Sequence, residues 1–166
     1  MKTLSALALG LFVVACSSTG SLGDRPAISD AVYKQAGIAR SAWEMKDARM
    51  LVGPQSEVYA VKTTDGRSLR GADFVADLQR KMDETKQVKG LSVHIDDIRI
   101  NGNTALVTTT QKLTRVVSQS GVDRTEVSTV TQRQQFKKVG IGQWVADNNS
   151  IEQLAANAQF TGGPKA

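Results

Sequence analysis

The segment LSVHIDDIRI, residues 91–100, decides the fold because its apolar side chains change parity half-way along. Three apolar residues occupy odd positions and two later ones occupy even positions: Leu91, Val93, Ile95, then Ile98 and Ile100. Successive side chains of a strand point to opposite faces, so a regular strand would separate these two sets. One extra residue at Asp96-Asp97 returns both sets to one face, and such a β-bulge bends the strand. The segment therefore predicts a curved sheet wrapped around a helix.

Alternating patterns continue after this strand and predict an antiparallel meander. Asn101-Gly102 is a strong hairpin signal, and Gly140 to Gly142 forms a second tight turn. The predicted strands that follow are TALVTTTQKLTRVV (104–117), RTEVSTVTQRQQFKKV (124–139) and QWVADNNSI (143–151). Upstream, helical spacing is found twice, with a short hairpin at Asp65-Gly66 between the two segments. Helices followed by a long meander indicate an α+β fold with N-terminal helices packed in a curved, mostly antiparallel sheet.

Each of the two predicted helices has an expected start and one apolar face. Ser29 or Asp30 is expected to cap the first, whose apolar positions then recur at spacings of three and four. Those positions are Ile28, Val32, Ala36, Ala39 and Trp43. The second is expected to begin at Gly71, with Phe74, Val75, Leu78 and Met82 on one face.

The N-terminus reads as an export signal that ends in the chain's only cysteine. Lys2 precedes an uncharged apolar run, which is typical of a secretory signal peptide and too short for a spanning helix. Residues 13–16, VVAC, resemble the lipobox of bacterial lipoproteins. The resemblance implies a diacylglyceryl thioether on Cys16, cleavage after Ala15 and acylation of the new amino terminus. It also implies, through Ser17, anchoring at the periplasmic face of the outer membrane.

These features divide the chain into four segments. They are a signal peptide (1–15), a lipidated flexible tether (16–29), an α+β cone domain (30–155) and a loose C-terminal tail (156–166). The formal net charge is +5 and is spread along the chain, so it reads as solvated surface charge. Since the basic residues form no aromatic-rich stripe and the chain carries an export signal, nucleic acid is excluded as a partner.

The order of elements resembles the nuclear transport factor 2-like superfamily, the cone fold that SnoaL-type cyclases and ketosteroid isomerases share. The resemblance rests on a helix, the hairpin DGRSLRG (65–71), a second helix, the strands VHIDDIRINGNTALVTT (93–109) and the segment GQWVADNNS (142–150). It implies a cone with an interior pocket, in which Tyr59, Asp97 and Asn148 are the candidate pocket residues. Members include isomerases, cyclases and pure binding modules, so the fold does not deliver a function.

No residue set predicts catalysis, a metal or a cofactor. Asp96 and Asp97 stand before a hairpin turn and are expected to be solvated. His94, the only histidine, is expected on the outer face with Ser92 and Asp96, where three side chains along one strand cannot aim at one atom. One histidine and a lipidated cysteine leave no metal-ligand set.

Two functions stay open from the sequence. The first is a non-catalytic envelope lipoprotein whose cone binds an envelope protein or associates with itself. Its homodimer would form through the sheet, with strand threonines and Gln132, Gln134 and Gln135 bonding across the interface. The threonines are Thr108, Thr109, Thr110, Thr125, Thr129 and Thr131. The second is a carrier of a small apolar ligand, or an isomerase-like or cyclase-like enzyme, that uses the cone pocket. A filled interior favours the first and a deep cavity the second.

Overall fold

The computed structural model describes residues 23–53, 59–119 and 121–161, which form an α+β fold. The three helices are α1 (Asp24–Met45), α2 (Arg49–Val52) and α3 (Gly71–Asp83). The seven strands are β1 (Ala60–Lys62), β2 (Ser68–Arg70), β3 (Thr85–Asn101), β4 (Thr104–Gln119), β5 (Val122–Gly140), β6 (Gln143–Ala146) and β7 (Ile151–Thr161). The predictions for residues 1–22, including Cys16, concern residues outside the described ranges. None of the described helices is both long and apolar enough to cross a bilayer.

The strands form one curved, unclosed mixed sheet in the order β2-β1-β7-β5-β4-β3, and β6 continues the β7 edge of β5. All neighbours are antiparallel except β1 and β7, which run parallel. Helix α1 lies against the concave face, where it contacts β3 and β6. The predicted fold class is therefore confirmed.

The predicted bulge is present in β3. Ile95 pairs with Thr109 and Asp97 pairs with Thr108, so Asp96 is the extra residue. Ile98 is buried, and Val93, Ile95 and Ile100 pack against the same core as Ile98. Two further register shifts, near Thr85 and Val88, bend the same strand again. The change in apolar parity thus identified the point at which the sheet curves.

Helix α1 begins at Asp24, so the predicted boundary at residue 29 is wrong. The side chain of Ser29 lies within the helix and donates to the carbonyl of Arg25, so Ser29 is not the cap. Pro26 is compatible with the first helical turn, where its missing N–H costs no intrahelical bond. Asp24 is favourable at a helix N-terminus and is buried there in contacts with Lys138 and Trp144. The residues GDRP, read as tether, therefore start the helix.

Strand β7 replaces the predicted loose tail over residues 156–161. Alanine, asparagine and glutamine dominate this stretch, and they have little intrinsic preference for strands. The strand forms because β5 supplies hydrogen-bonding partners from Thr125 to Arg133, and β1 pairs with its first residues. The segment 143–151 is likewise not one strand, since β6 ends at Ala146 and β7 begins at Ile151.

Two apolar clusters hold α1 to the sheet. The first fills the end of the cone near the start of α1 and contains Ile28, Val32, Ile98, Ala105, Val107, Phe136 and Trp144. The second lies at the other end of α1 and contains Ala42, Trp43, Ala48 and Met82. The middle of α1 is packed in neither cluster, and this leaves space between the helix and the sheet.

Candidate functional site

A cavity of about 1070 Å³ occupies the concave side of the sheet between the two apolar clusters. Its volume lies slightly above the range of about 300–1,000 Å³ that is typical of ligand pockets. The middle of α1 forms one wall, α3 and the β1–β2 hairpin form another, and β3, β4, β5 and β7 form the third. The interior of the cone is therefore open rather than filled.

Aromatic and aliphatic side chains make up much of the wall. Tyr59 and Phe74 stack with their ring centroids 4.9 Å apart, so the short hairpin and α3 present one continuous aromatic surface. Trp43 on α1 also lines the cavity, and Leu113 and Val130 line it from the sheet. Such a surface suits an apolar ligand body.

A row of uncharged polar side chains crosses this apolar wall. Thr109 on β4, Gln132 on β5 and Gln153 on β7 are direct cross-strand neighbours, and all three line the cavity. Gln111 lies two residues along β4 from Thr109 and also lines it. Within the part of the chain that the structure describes, the amides of Gln111, Gln132 and Gln153 make no side-chain hydrogen bond. Their donors and acceptors are therefore free to bind a ligand.

A buried ion pair closes one part of the cavity wall. The guanidinium of Arg115 donates to both carboxylate oxygens of Glu126, at 3.1 and 2.9 Å, and also to the hydroxyl of Thr85. Burial raises the pKa of Glu126, but the hydrogen bond from Ser128 and the pair with Arg115 outweigh it and hold the pKa below its ordinary value. Glu126 is therefore an ionised, fully occupied carboxylate, poorly suited to accept a proton near neutral pH.

The other acidic side chains of the wall, Asp77 and Asp65, are also held in ion pairs and hydrogen bonds. Burial raises the pKa of Asp77, but hydrogen bonds from Lys81 and Arg80 lower it further, to a net value below the ordinary one. A hydrogen bond from Thr63, then contacts with Arg67, lower the pKa of Asp65 to about 2. Among the described residues, no group of histidine, cysteine, aspartate and glutamate could hold a metal ion.

Two of the three candidate pocket residues come together. Tyr59 and Asn148 both line the cavity, and the backbone N–H of Ala60 donates to the carbonyl of Asn148 at 2.9 Å. Burial raises the pKa of Tyr59 to about 12, so its hydroxyl keeps its proton and can donate to a ligand. The side-chain oxygen of Asn148 accepts a long hydrogen bond of 3.4 Å from Gln134.

Asp97 is the exception, because it is not among the residues that line the cavity. The bulge at Asp96 places Ile98 in the core and leaves Asp97 on the outer face, where it pairs with Arg99 at 2.6 Å. His94 also lies on that face with four-fifths of its side chain exposed, as predicted. Asp97 is therefore a surface ion pair and not a pocket group.

Two of the three glutamines in the dimer hypothesis lie on the inner face of the sheet and not on the outer one. Gln132 and Gln134 line the cavity, whereas Gln135 does not. Thr109 is likewise buried on the inner face, while Thr110 and Thr131 hydrogen bond to each other at 2.9 Å on the outer one. The parity of the residue numbers indicates the inner face of each strand. On β5, Gln132 and Gln134 have even numbers, like the buried Phe136, and on β4 Gln111 has an odd number, like the buried Val107.

No family model and no curated protein matches this chain. Solved structures do match along most of it. A conserved protein from Planctomyces limnophilus aligns with a TM-score of 0.55 and 16% identity, over 77% of this chain and 95% of that one. A nuclear transport factor 2-like superfamily protein from Salmonella enterica aligns with a TM-score of 0.50 and 14% identity, over 85% and 94%. The chain has the nuclear transport factor 2-like fold.

One similar structure is an enzyme. A type 2 hexachlorocyclohexane dehydrochlorinase aligns with a TM-score of 0.53 and 10% identity, over 83% of this chain and 90% of that one. Likenesses at such identities establish the cone fold alone, because this fold hosts unrelated functions. The function has to be argued from the residues of this cavity.

Proposed function

We propose that this protein is a membrane-anchored envelope lipoprotein whose cone cavity binds a neutral amphipathic molecule without transforming it. The observation that carries the proposal is the row Thr109, Gln132 and Gln153, which crosses the sheet wall of the cavity beside the apolar Leu113 and Val130. Amides offer donors and acceptors without a net charge, so they favour hydroxyl, carbonyl or amide groups over ionised ones. The aromatic surface at Tyr59 and Phe74 would hold the apolar part.

The ionisable side chains described along the cavity wall support binding over catalysis. General acid–base catalysis needs a group whose pKa lies near the working pH. Among the described residues of the wall, Glu126 and Asp77 have lowered pKa values and Tyr59 has a raised one. The open cavity also removes the reason for preferring a pure protein-binding module, which a filled core would have supported.

The location of the protein rests on the sequence. The lipobox resemblance at VVAC supports a lipid anchor on Cys16, and Ser17 supports the periplasmic face of the outer membrane. Two or three acyl chains would hold the domain stably, because a single chain gives only marginal membrane binding.

A pair of adjacent residues on β5 tests ligand binding. Val130 lines the cavity, whereas Thr129 is absent from its lining, as expected for the next residue of a strand. We expect Val130→Trp to abolish the fluorescence enhancement of N-phenylnaphthylamine, a neutral amphipathic probe, in a chain that starts at Ser17. Thr129→Trp should leave the enhancement unchanged. Equal binding by both variants, with unchanged melting temperatures, would refute the cavity as the binding site.

Native mass spectrometry of the protein released from envelopes would then identify the natural ligand. A neutral molecule of a few hundred daltons that co-purifies with the native chain and is lost in Val130→Trp is the expected result. Turnover of the retained molecule by the native chain would instead establish an enzyme.

Self-association through the outer face of the sheet is a second candidate. Leu106 is exposed on β4 and Leu154 on β7, and the Thr110–Thr131 hydrogen bond lies between β4 and β5. Sedimentation equilibrium of the native chain and of Leu106→Lys tests it, since a dimer should dissociate in the variant.

A further inference from the structure

The end of the β5–β6 hairpin is the most exposed apolar element in the described part of the chain. Ile141 at its tip is fully exposed, and Val139 and Val145 beside it are 60% and 47% exposed. Single exposed apolar residues are common on protein surfaces. Here three lie on one hairpin, with no charged side chain from Val139 to Gln143. Together they form an exposed apolar surface of the kind that marks an interaction site.

This tip, Val139 to Val145, is fixed to the start of α1. Lys138 at its base forms an ion pair with Asp24 at 2.8 Å, and the indole N–H of Trp144 donates to the same carboxylate at 3.2 Å. Lys137, the other cation at the base, pairs with Asp147 at 2.6 Å. The tip and the residue at which the N-terminal chain enters the domain therefore lie at one end of the molecule.

The predicted anchor lies close to this end in sequence. Cys16 precedes Asp24 by eight residues. A fully extended chain covers at most about 3.3–3.6 Å per residue, so Asp24 can be no further than roughly 30 Å from an anchored Cys16. A lipid on Cys16 would hold this end of the domain, and not the opposite end of β5, against the bilayer.

We infer that the exposed side chains of the tip, Val139, Ile141 and Val145, insert into the boundary between headgroups and acyl chains of the phospholipid bilayer that carries the anchor, while Trp144 stays in the core. Ile141 is the leading side chain, and Lys137 and Lys138 stay at the headgroup level, where lysine stems lie along apolar surface and their ammonium groups remain in water. The partner is a lipid surface because the tip offers exposed apolar side chains above two lysines, and a short stretch of chain joins this end of the domain to the predicted anchor. The orientation rests on the anchoring part of the proposed function.

Photocrosslinking tests this inference in the full lipidated chain. Benzoylphenylalanine replaces Ile141 in one protein and Val122 in another, and each is reconstituted in phosphatidylethanolamine–phosphatidylglycerol vesicles. Val122 is an exposed apolar residue at the opposite end of β5, so it is the matched control. After irradiation we expect phospholipid adducts at position 141 and not at 122. Absence of adducts at 141, or equal yields at both positions, overturns the inference.

A second variant separates insertion from mere proximity. With the crosslinker at Val139, Ile141→Asp should lower the phospholipid adduct yield by on the order of tenfold, since a buried apolar side chain is replaced by a charged one. Ile141→Leu should retain the yield, and both should keep the native melting temperature because the position is fully exposed. An unchanged yield in Ile141→Asp overturns insertion.

The same samples keep the two proposals distinguishable. Mass spectrometry of the amino-terminal peptide reports whether Cys16 carries lipid. Adducts at 141 with an unmodified Cys16 would retain the tip and overturn the anchor. A lipidated Cys16 without adducts at 141 would retain the anchor and overturn the tip.

Discussion

Arg115 and Glu126 form a bidentate ion pair inside the cone, with both side chains less than a tenth exposed. The Arg115 guanidinium also donates to Thr85 and to the carbonyl of Lys81, and it lies 5.5 Å from the ring of Trp43. One guanidinium thus ties together α1, the end of α3 and the strands β3, β4 and β5. Arg115 also forms part of the cavity wall.

Removing one partner of this pair should destabilise the fold strongly. Glu126→Leu would leave the Arg115 charge buried and unpaired, so we expect a loss of about 3–5 kcal/mol in the free energy of unfolding. The double variant Arg115→Met with Glu126→Leu should lose less than Glu126→Leu alone. Urea denaturation of the native chain and of the two variants measures these losses, and equal losses in the single and double variants would contradict the coupling.

The pair should also make stability depend on acid pH. Glutamate in an unfolded chain has a pKa of about 4.3. The pKa of Glu126 in the folded protein lies below its ordinary value. A lowered folded pKa contributes stability that is present above the unfolded pKa and is lost as the pH falls through the folded value. We therefore expect the melting temperature to decrease as the pH is lowered below about 4.3. The decrease should be less steep in Glu126→Gln. Glu44→Gln, at an exposed pair on α1, is the control that should keep the native slope.

Gln132→Leu should change the preference of the cavity in two opposite directions. A more apolar wall lowers the cost of binding the largely apolar probe N-phenylnaphthylamine, so its dissociation constant should fall. The natural ligand should lose a hydrogen bond worth about 0.5–1.5 kcal/mol, which corresponds to roughly 2–12-fold weaker binding. Gln135→Leu, which alters the same residue type outside the cavity lining, should change neither. A parallel change for both ligands would contradict the role of the amide row.

Asp24→Ala should destabilise the junction between α1 and the β5–β6 hairpin. It leaves the indole N–H of the buried Trp144 without this acceptor and removes the ion pair of Lys138. We expect a loss of about 1–3 kcal/mol, the penalty for an unsatisfied buried donor. Asp30→Ala, at an exposed position of the same helix, should stay within about 0.5 kcal/mol of the native chain. Thermal denaturation of the two variants decides the matter.

Cys16→Ser should release the protein from the membrane or leave it as an uncleaved precursor. The reason is chemical, since a serine cannot form the thioether that the lipobox implies. Membrane fractionation together with mass spectrometry of the mature amino terminus measures this. An unmodified cysteine in the native protein, or cleavage at another residue, would contradict the anchor.

The curvature of the sheet was predictable because its cause is local. The parity change between Ile95 and Ile98 can be read from ten residues, and no distant contact is needed to place the bulge at Asp96. Tight turns with glycine at positive φ, such as Gly66 and Gly102, were local as well. Tyr59 and Asn148 were placed in the pocket only through the family resemblance, and the structure brings both to the cavity wall.

The α+β class, the bulge and the hairpins were therefore predictable from the sequence, since each depends on a local pattern of residues. Tertiary structure decided the rest. β7 exists only because β5 and β1 offer partners to a stretch of weak strand formers, and α1 starts at Asp24 because Lys138 and Trp144, over a hundred residues later, meet that carboxylate. The open cavity also depends on tertiary structure. Its row Thr109, Gln132 and Gln153 spans three strands, and the register of these strands is set by pairing between distant segments.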